Sequence, residues 1–325
     1  MRALILAAGL GTRLRPLTSL RAKAALPVNG EALIRRIVRN LVRQGFSDLV
    51  VNLHYLPATV AGVLGDGSDL DARVRYSWEN PVLGSAGGPR HALPLLVDGD
   101  EDPRAKFLLV NGDTLTDADL HGLIEVHEAS RDTRVTMALI ANPEPEKYGG
   151  VIVEGDRVVG FTRRGATTRN YHFIGLQVAE RRVFDELPDG TPAESVGELY
   201  RALLDAHPGA IGAYVAAASF HDIGTPADYL KTSLEIAAIE GNRLVGTNAV
   251  RVESETVLTD TAVWDDVVIG RGARLDHTIV GDGARVPPGS RYSGCVILPA
   301  AGRSPAAAER IENGLLIAPL TPAAA

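Results

Sequence analysis

The chain has 325 residues, 45% of them apolar and 22% charged, with a formal net charge of −7. That length exceeds what one ordinary core organises, so two domains are expected, while the acidity and the lack of a basic stripe argue against a nucleic-acid partner. The single cysteine, Cys295, excludes an internal disulfide and a cysteine metal cluster; no apolar stretch reaches bilayer length and the chain opens on a strand rather than a signal peptide, so a cytoplasmic protein with no membrane partner is expected.

Leu4, Ile5 and Leu6 read as a buried strand. It breaks into Ala7, Ala8 and Gly9, then a loop with Gly11, Thr12, Arg13 and Arg15, and Lys23 follows. Small residues after a strand let the backbone approach a ligand closely, and the basic side chains suit phosphate. Read from the residues alone, a turn with a solvated basic face fits as well. The stretch is neither a P-loop nor a dinucleotide fingerprint.

Residues 31–44 carry the apolar stripe of a helix ended by Gly45. A strand is expected over 49–53, a helix over 58–64 and a strand over 73–76. The run Gly84-Ser85-Ala86-Gly87-Gly88 reads as a tight turn presenting backbone N–H groups ahead of a helix, or as a turn with no ligand. Residues 106–110 form a buried strand ending in Asn111-Gly112-Asp113. Asp113 there suits Mg2+ held against phosphates. A helix N-cap is the other reading, with Thr116 and Asp117 competing for that task before a helix over 117–126. Strands alternating with helices predict an α/β fold, a Rossmann-like, mostly parallel sheet with helices on both faces. Ligands of such sheets lie beyond the carboxyl ends of the strands, where Gly9, Gly84 and Asp113 fall.

A strand over 134–140 precedes a hairpin over 148–161 and another strand over 170–178. Short helices over 183–187 and 196–206 lead to a strand over 210–218, which runs into Phe220-His221-Asp222-Ile223-Gly224-Thr225-Pro226. Thr225 and Pro226 supply a helix cap and first turn, which leaves Asp222 with no structural task. Past Gly246, Val257, Val263, Ile269 and Leu275 recur every six residues, as do Val280, Val286 and Tyr292 after a one-residue slip. That period predicts a short left-handed parallel β-helix of about six turns, in which His277 has no visible partner. The expected domains are 1–243, 244–302 for the β-helix and a loosely ordered tail over 303–325 into which Leu315 to Ile317 could dock.

The stretch from Gly9 to Pro27 resembles the signature of the sugar-1-phosphate nucleotidyltransferases, GxGTRLxPLT followed by a proline–lysine pair and an apolar–proline step. Ala22 stands where the pair usually has proline. Asn111-Gly112-Asp113 is similar to the family's metal-binding motif, and residues 220–226 to its aromatic-x-Asp-Ile-Gly-Thr-Pro motif, with Phe220 for tryptophan. The repeats look like the C-terminal domain that many members append. The resemblance implies that Leu6, Ala7, Ala8, Gly9, Gly11 and Thr12 wrap a nucleoside triphosphate, with Gly84, Gly87 and Gly88 beside its base and sugar. Arg13 and Lys23 would meet its phosphates. Asp113 and Asp222 would hold Mg2+. On the sugar-phosphate side it implies Gly150, Arg163, Asn170 and Gly175, although Thr162-Arg163-Arg164 replaces the family's Glu-Lys-Pro triplet.

The implied substrates are a nucleoside triphosphate and a hexose-1-phosphate, joined as an NDP-sugar with release of pyrophosphate. The run from Glu79 to Gly88 is similar to that of mannose-1-phosphate guanylyltransferases and N-acetylmuramate-1-phosphate uridylyltransferases, which leans away from thymidine without separating guanine from uracil; GTP with mannose-1-phosphate is the first expectation. The alternatives are uridylyl or adenylyl transfer to N-acetylmuramate-1-phosphate, glucose-1-phosphate or another sugar phosphate, and a regulatory homologue that binds NDP-sugar without turnover. Homo-oligomerisation is left open.

Overall fold

Three consecutive apolar side chains with no polar interruption make the N-terminal run an interior strand, β1 (Ala3–Leu6), of a sheet, with Leu4 and Ile5 fully buried. The computed structural model describes residues 1–321. It has two compact units, Met1–Gly9 with Ile34–His221, and Leu10–Leu33 with the described residues from Asp222 onward.

In the first unit, β2 (Asp48–Leu53), β3 (Arg73–Trp78), β4 (Lys106–Asn111), β5 (Val135–Ala141), β6 (Gly150–Glu154), β7 (Arg157–Thr162), β8 (Tyr171–Glu180) and β9 (Ile211–Val215) join β1. Among the described residues they form one nine-stranded sheet in the order β3-β2-β1-β4-β8-β5-β9-β7-β6. β3, β2, β1 and β4 are parallel, as are β5 and β9. β8 is antiparallel to both β4 and β5, and β7 to β9 and β6. The expected mostly parallel sheet is therefore a mixed one in an α/β fold. The cause is the connection: between β5 and β8 the chain makes the β6–β7 hairpin and no helix, whereas a parallel return needs a long crossover, usually helical. Leu4, Val50, Phe107, Leu109, Met137, Leu139, Phe184 and Tyr200 belong to one buried cluster, and the Tyr200 hydroxyl donates to Gln177 Oε1 at 2.9 Å.

Helices α1 (Leu33–Arg43), α2 (Pro57–Leu64), α3 (Gly84–Val97), α4 (Leu120–Glu128) and α5 (Tyr200–Ala206) follow the apolar periods. Three details differ from expectation. In place of the helix expected over 183–187 there is only a 3-10 turn, Arg181–Val183. The glycine run is the first turn of α3, not a loop before it. The cap of α4 is Asp119, which accepts from His121 N–H at 2.9 Å, while Asp117 accepts from Ser219 N–H at 2.6 Å. That bond holds the Asp117 carboxyl below its ordinary range.

In the second unit, α6 (Pro226–Glu240) begins as expected, with Thr225 accepting from Asp228 N–H at 3.2 Å. Beyond it, short strands pair in parallel 17 residues apart, Val257 with Arg274, Val268 with Arg285 and Ile279 with Val296. Among the described residues each of three sheets stacks three such strands, half the expected number of layers, because three six-residue steps make one layer. Val263, Ile269, Leu275, Val280, Val286 and Tyr292 form the buried interior. In the stretch expected to be a loose tail, Arg310–Glu312 and Leu315–Pro319 are strands, the latter antiparallel to Cys295–Pro299. The apolar Leu315, Leu316 and Ile317 are buried there. The last four residues of that expected tail lie outside the described residues.

Candidate active site

The parallel strands of the first unit bring Leu6, Asn52 and Asn111 level, as neighbours in register. Each strand turns away there, so their ends gather the polar groups. Gly112 N–H donates to Leu6 O at 3.0 Å, and a Cβ on Gly112 would stand 2.6 Å from that oxygen. Glycine is what allows Asp113 to follow so close to the end of β1. Asp113 is half-buried, with Thr114 Oγ1 donating to its Oδ1 at 3.2 Å.

Ala7 N–H donates to Asn52 Oδ1 at 2.6 Å, Asn52 Nδ2 donates to Glu79 Oε1 at 2.6 Å, and Leu83 N–H donates to Glu79 Oε2 at 2.8 Å. Glu79 is 5% exposed and Asn52 2%. This buried chain of bonds ties the end of β1 to the start of α3. Gly88 belongs to it, since a Cβ there would lie 2.6 Å from Glu79 Oε1 and 2.9 Å from Asn52 Nδ2. Sequence reasoning missed Asn52 and Glu79. The available signal was an asparagine inside the apolar run Leu49-Val50-Val51-Asn52-Leu53, because a buried polar side chain needs a partner.

The other expected residues of this unit fall into separate groups. Gly84 and Gly87 face Ala193 and Thr191, whose carbonyl oxygens would lie 2.7 and 2.5 Å from their Cβ atoms. The N–H groups of Ala86 and Gly87, at the first turn of α3, donate to Ala193 O at 2.9 and 3.2 Å. Gly150 packs on Asn170, which accepts from Asn142 Nδ2 at 2.7 Å. Gly175, at φ 78°, leaves room for Asn111. Arg163 is exposed. Beside this region Tyr148, His172 and Phe220 pack ring against ring, with His172 centroids 4.3 Å from Tyr148 and 4.6 Å from Phe220. Burial pushes His172 down to about 4.

In the second unit, Gly11 takes a left-handed conformation at φ 60°, and its carbonyl accepts from Thr18 Oγ1 at 2.8 Å. A Cβ on Gly11 would be 3.6 Å from Lys23 Cβ, so the loop folds back onto Lys23. Arg13, exposed on the short helix Thr12–Leu14, reaches Gly224. A Cβ on Gly224 would lie 3.1 Å from Asp222 Oδ2, 3.2 Å from Arg13 Nη1 and 3.2 Å from Asp228 Oδ2. The structure thus brings Arg13 and Asp222 together over a glycine. Asp228, unforeseen here, also accepts from Thr225 Oγ1 at 2.8 Å. Ala22 has φ −57°, the angle proline imposes, so the alanine preserves the backbone of the proline–lysine pair. His277, expected to lack a partner, has Nδ1 3.0 Å from Asp276 Oδ1 and Nε2 3.5 Å from Asp260 Oδ2.

The family of nucleotidyl transferases matches residues 2–239. The chain belongs to that family. This nucleotidyltransferase is 32% identical over 307 residues to the mannose-1-phosphate guanylyltransferase of Mycobacterium tuberculosis, covering 91% of this chain and 82% of that protein. It is 34% identical over 197 residues to the N-acetylmuramate alpha-1-phosphate uridylyltransferase of Neisseria meningitidis serogroup B, covering 60% of this chain and 81% of that one. Among solved structures, HddC from Yersinia pseudotuberculosis complexed with GMP-PN shares the fold at TM-score 0.60 and 23% identity, over 72% of this chain and 99% of that one. Among the described residues no helix is long and apolar enough to cross a membrane.

Proposed function

We propose that this enzyme transfers a guanylyl group from GTP to mannose-1-phosphate. An oxygen of the sugar phosphate attacks the α-phosphate, and pyrophosphate leaves. The observation that carries this reading is the similarity to the Mycobacterium guanylyltransferase across 91% of the chain. The uridylyl reading rests on the Neisseria relative, which covers 60% of the chain at 34% identity, and on a UTP–glucose-1-phosphate uridylyltransferase, which covers 90% at only 24%. It remains the second reading because the Neisseria relative is the more identical over the part it matches.

Residues 1–243 are read as the catalytic domain, 244–302 as a hexapeptide-repeat, left-handed β-helix and 303–325 as its tail, in a cytoplasmic protein. Leu6 to Gly9, Gly11, Thr12 and the glycines of α3 bind the nucleotide. Gly150, Arg163, Asn170 and Gly175 lie on the sugar-phosphate side. The phosphate nucleophile is already anionic, so catalysis needs alignment and charge stabilisation rather than a base. Arg13, with its fork of donors, and Lys23, a point charge, neutralise the departing pyrophosphate.

Among the described residues no group of three or more histidine, cysteine, aspartate or glutamate side chains forms a metal cage, and Mg2+ does not need one, since it keeps waters and takes one or two carboxylates plus substrate phosphates. The space over Gly224 that a Cβ would fill is lined by Asp222 Oδ2 and Asp228 Oδ2 together with Arg13 Nη1; the two carboxylates are the donor type a hard cation takes, and the guanidinium shares that space. Asp113 and Asp222 would hold Mg2+, which when bound supplies charge neutralisation at the phosphates. The test is pyrophosphate release from GTP, UTP, ATP and dTTP, each with mannose-, glucose- and N-acetylmuramate-1-phosphate. Turnover of GTP with mannose-1-phosphate above the other pairs is expected; preferential use of UTP with N-acetylmuramate-1-phosphate would replace the reading with the second one.

A further inference from the structure

Arg21 is not used by any step above, yet its side chain donates three hydrogen bonds to carboxylates. Its Nε and Nη2 donate to the two oxygens of Asp282 at 2.6 Å each, and Nη2 donates to Asp265 Oδ2 at 2.6 Å. The guanidinium lies 5.5 Å from the centroid of the Trp264 ring, and only 16% of the side chain is exposed. Asp265 and Asp282 occupy successive layers of the C-terminal strands, 17 residues apart, with Asp265 N–H donating to Asp282 Oδ1 at 3.0 Å. Strand pairing of Val263 with Val280 fixes their spacing. Two stacked carboxylates repel each other, so the pair is stable where a bidentate cation bridges it.

Further bonds hold the same segment. Trp264 Nε1 donates to the Tyr229 hydroxyl at 2.8 Å, and that hydroxyl donates to Pro27 O. Asn29 donates to Gly241 O at 3.0 Å and accepts from Arg243 N–H at 2.8 Å. Between Arg21 and Lys23 stands one residue, the fully buried Ala22, whose carbonyl accepts from Ala25 N–H at 2.8 Å. Arg21 and Lys23 are therefore joined through one buried, backbone-bonded residue.

We infer that Asp265 and Asp282, through Arg21 as a positioning residue, set the placement of Lys23 toward the triphosphate, so that the C-terminal strands are part of the nucleotide-handling machinery. This rests on the reading of Lys23 as a phosphate ligand. A merely structural Arg21 would stabilise the fold and leave the kinetics of folded enzyme alone.

A double-mutant cycle between positions 21 and 23 on the full chain separates the two. Arg21→Lys keeps the charge but not the fork. It lowers kcat/KM for GTP between about 10- and 100-fold, the scale of an ångström-level misplacement, with the KM for the sugar phosphate unchanged. Lys23→Met lowers it as well, and the two together are no worse than Lys23→Met alone. If Arg21→Lys does not fold, Asp265→Asn with Asp282→Asn removes the clamp's charges while keeping its shape, and the same pattern is expected. With Lys23→Met impaired, wild-type kcat/KM in the clamp variants, or losses that multiply with Lys23→Met, would overturn the inference. Wild-type kinetics in Lys23→Met would instead overturn the reading of Lys23 and the inference with it.

Discussion

Glu79→Gln tests whether the buried bonds at the sheet edge support nucleotide binding. Glu79 accepts from two donors, Asn52 Nδ2 and Leu83 N–H, and glutamine offers one acceptor and one donor in their place. Asn52 cannot turn over to compensate, because its Oδ1 already accepts from Ala7 N–H. One N–H group is left facing another, at a site 5% exposed. A buried unsatisfied donor costs about 1–3 kcal/mol, and at about 2–4 °C per kcal/mol a loss of ~2 kcal/mol lowers Tm by about 4–8 °C. The loosened end of β1 raises the KM for GTP. The second half of the test is a rescue. Asn52→Asp with Glu79→Gln puts a carboxylate at 52 that accepts from Ala7 N–H and from the new amide, whose oxygen accepts from Leu83 N–H. Thermal unfolding and steady-state kinetics of the single and double variants read both effects. Wild-type Tm and KM in Glu79→Gln, or a double variant worse than the single, would refute the reasoning.

Asp113→Ala and Asp222→Ala each lower kcat at least about 100-fold with unchanged circular dichroism, since metal clamps contribute several kcal/mol to such transition states; near-normal turnover in both sinks the metal assignment. Arg13→Ala lowers kcat more than it raises the KM for GTP, losing about 2–4 kcal/mol of transition-state stabilisation, and a change in KM alone shows that Arg13 only binds. Burial, aided by the Lys106 charge for His127 and by Lys147 for His172, holds both imidazoles down to about 4. Their folded values lie below the unfolded value near 6.5, so the unfolded chain binds more protons between these limits. Stability is full above pH 6.5 and falls toward pH 4, by about 1–3 kcal/mol per histidine. Urea unfolding against pH shows the slope, which His127→Gln with His172→Gln flattens.

Most of this arrangement was legible wherever one residue's neighbours in sequence are also its neighbours in space. The apolar runs of β1 and β4, the hairpin of β6 and β7 and the Thr225-Pro226 start of α6 are local signals, and the structure has them. The direction of β8 is not local, because it depends on what lies between it and β5. Capping by Asp119 rather than Asp117 depends on the arrival of Ser219, 102 residues away. Arg21 reads as one more basic residue in a basic loop, since its acceptors lie 244 and 261 residues downstream. Asn52 and Glu79 were visible as letters, but only the fold shows that they bond to each other. The six-residue period predicts parallel pairing, which the structure has, but not the layer count, because a period gives the length of a step and not the number of steps per layer.

The glycines of the site separate what the protein needs for itself from what it needs for a ligand. A Cβ on Gly112 would meet Leu6 O at 2.6 Å, one on Gly88 would meet Glu79 Oε1 at 2.6 Å, and one on Gly224 would stand 3.1 Å from Asp222 Oδ2. For Gly112 and Gly88 the neighbour belongs to the fold itself, whereas Asp222 beside Gly224 belongs to the proposed site. Gly9 differs: a Cβ there would have nothing within 4 Å, and its φ is not among the positive ones. Folding alone does not demand glycine at this position, so its use points to a backbone approached by substrate. Gly9→Ala should leave Tm unchanged and raise the KM for GTP about tenfold or more, since one ill-placed methyl at a close contact costs roughly 1–3 kcal/mol. Gly112→Ala, as the counterpart, should lower stability by about 1–3 kcal/mol through overpacking. If Gly9→Ala binds GTP normally while Gly112→Ala behaves as described, the substrate does not approach the backbone at Gly9, and the wrapping role given to Leu6 through Gly9 falls.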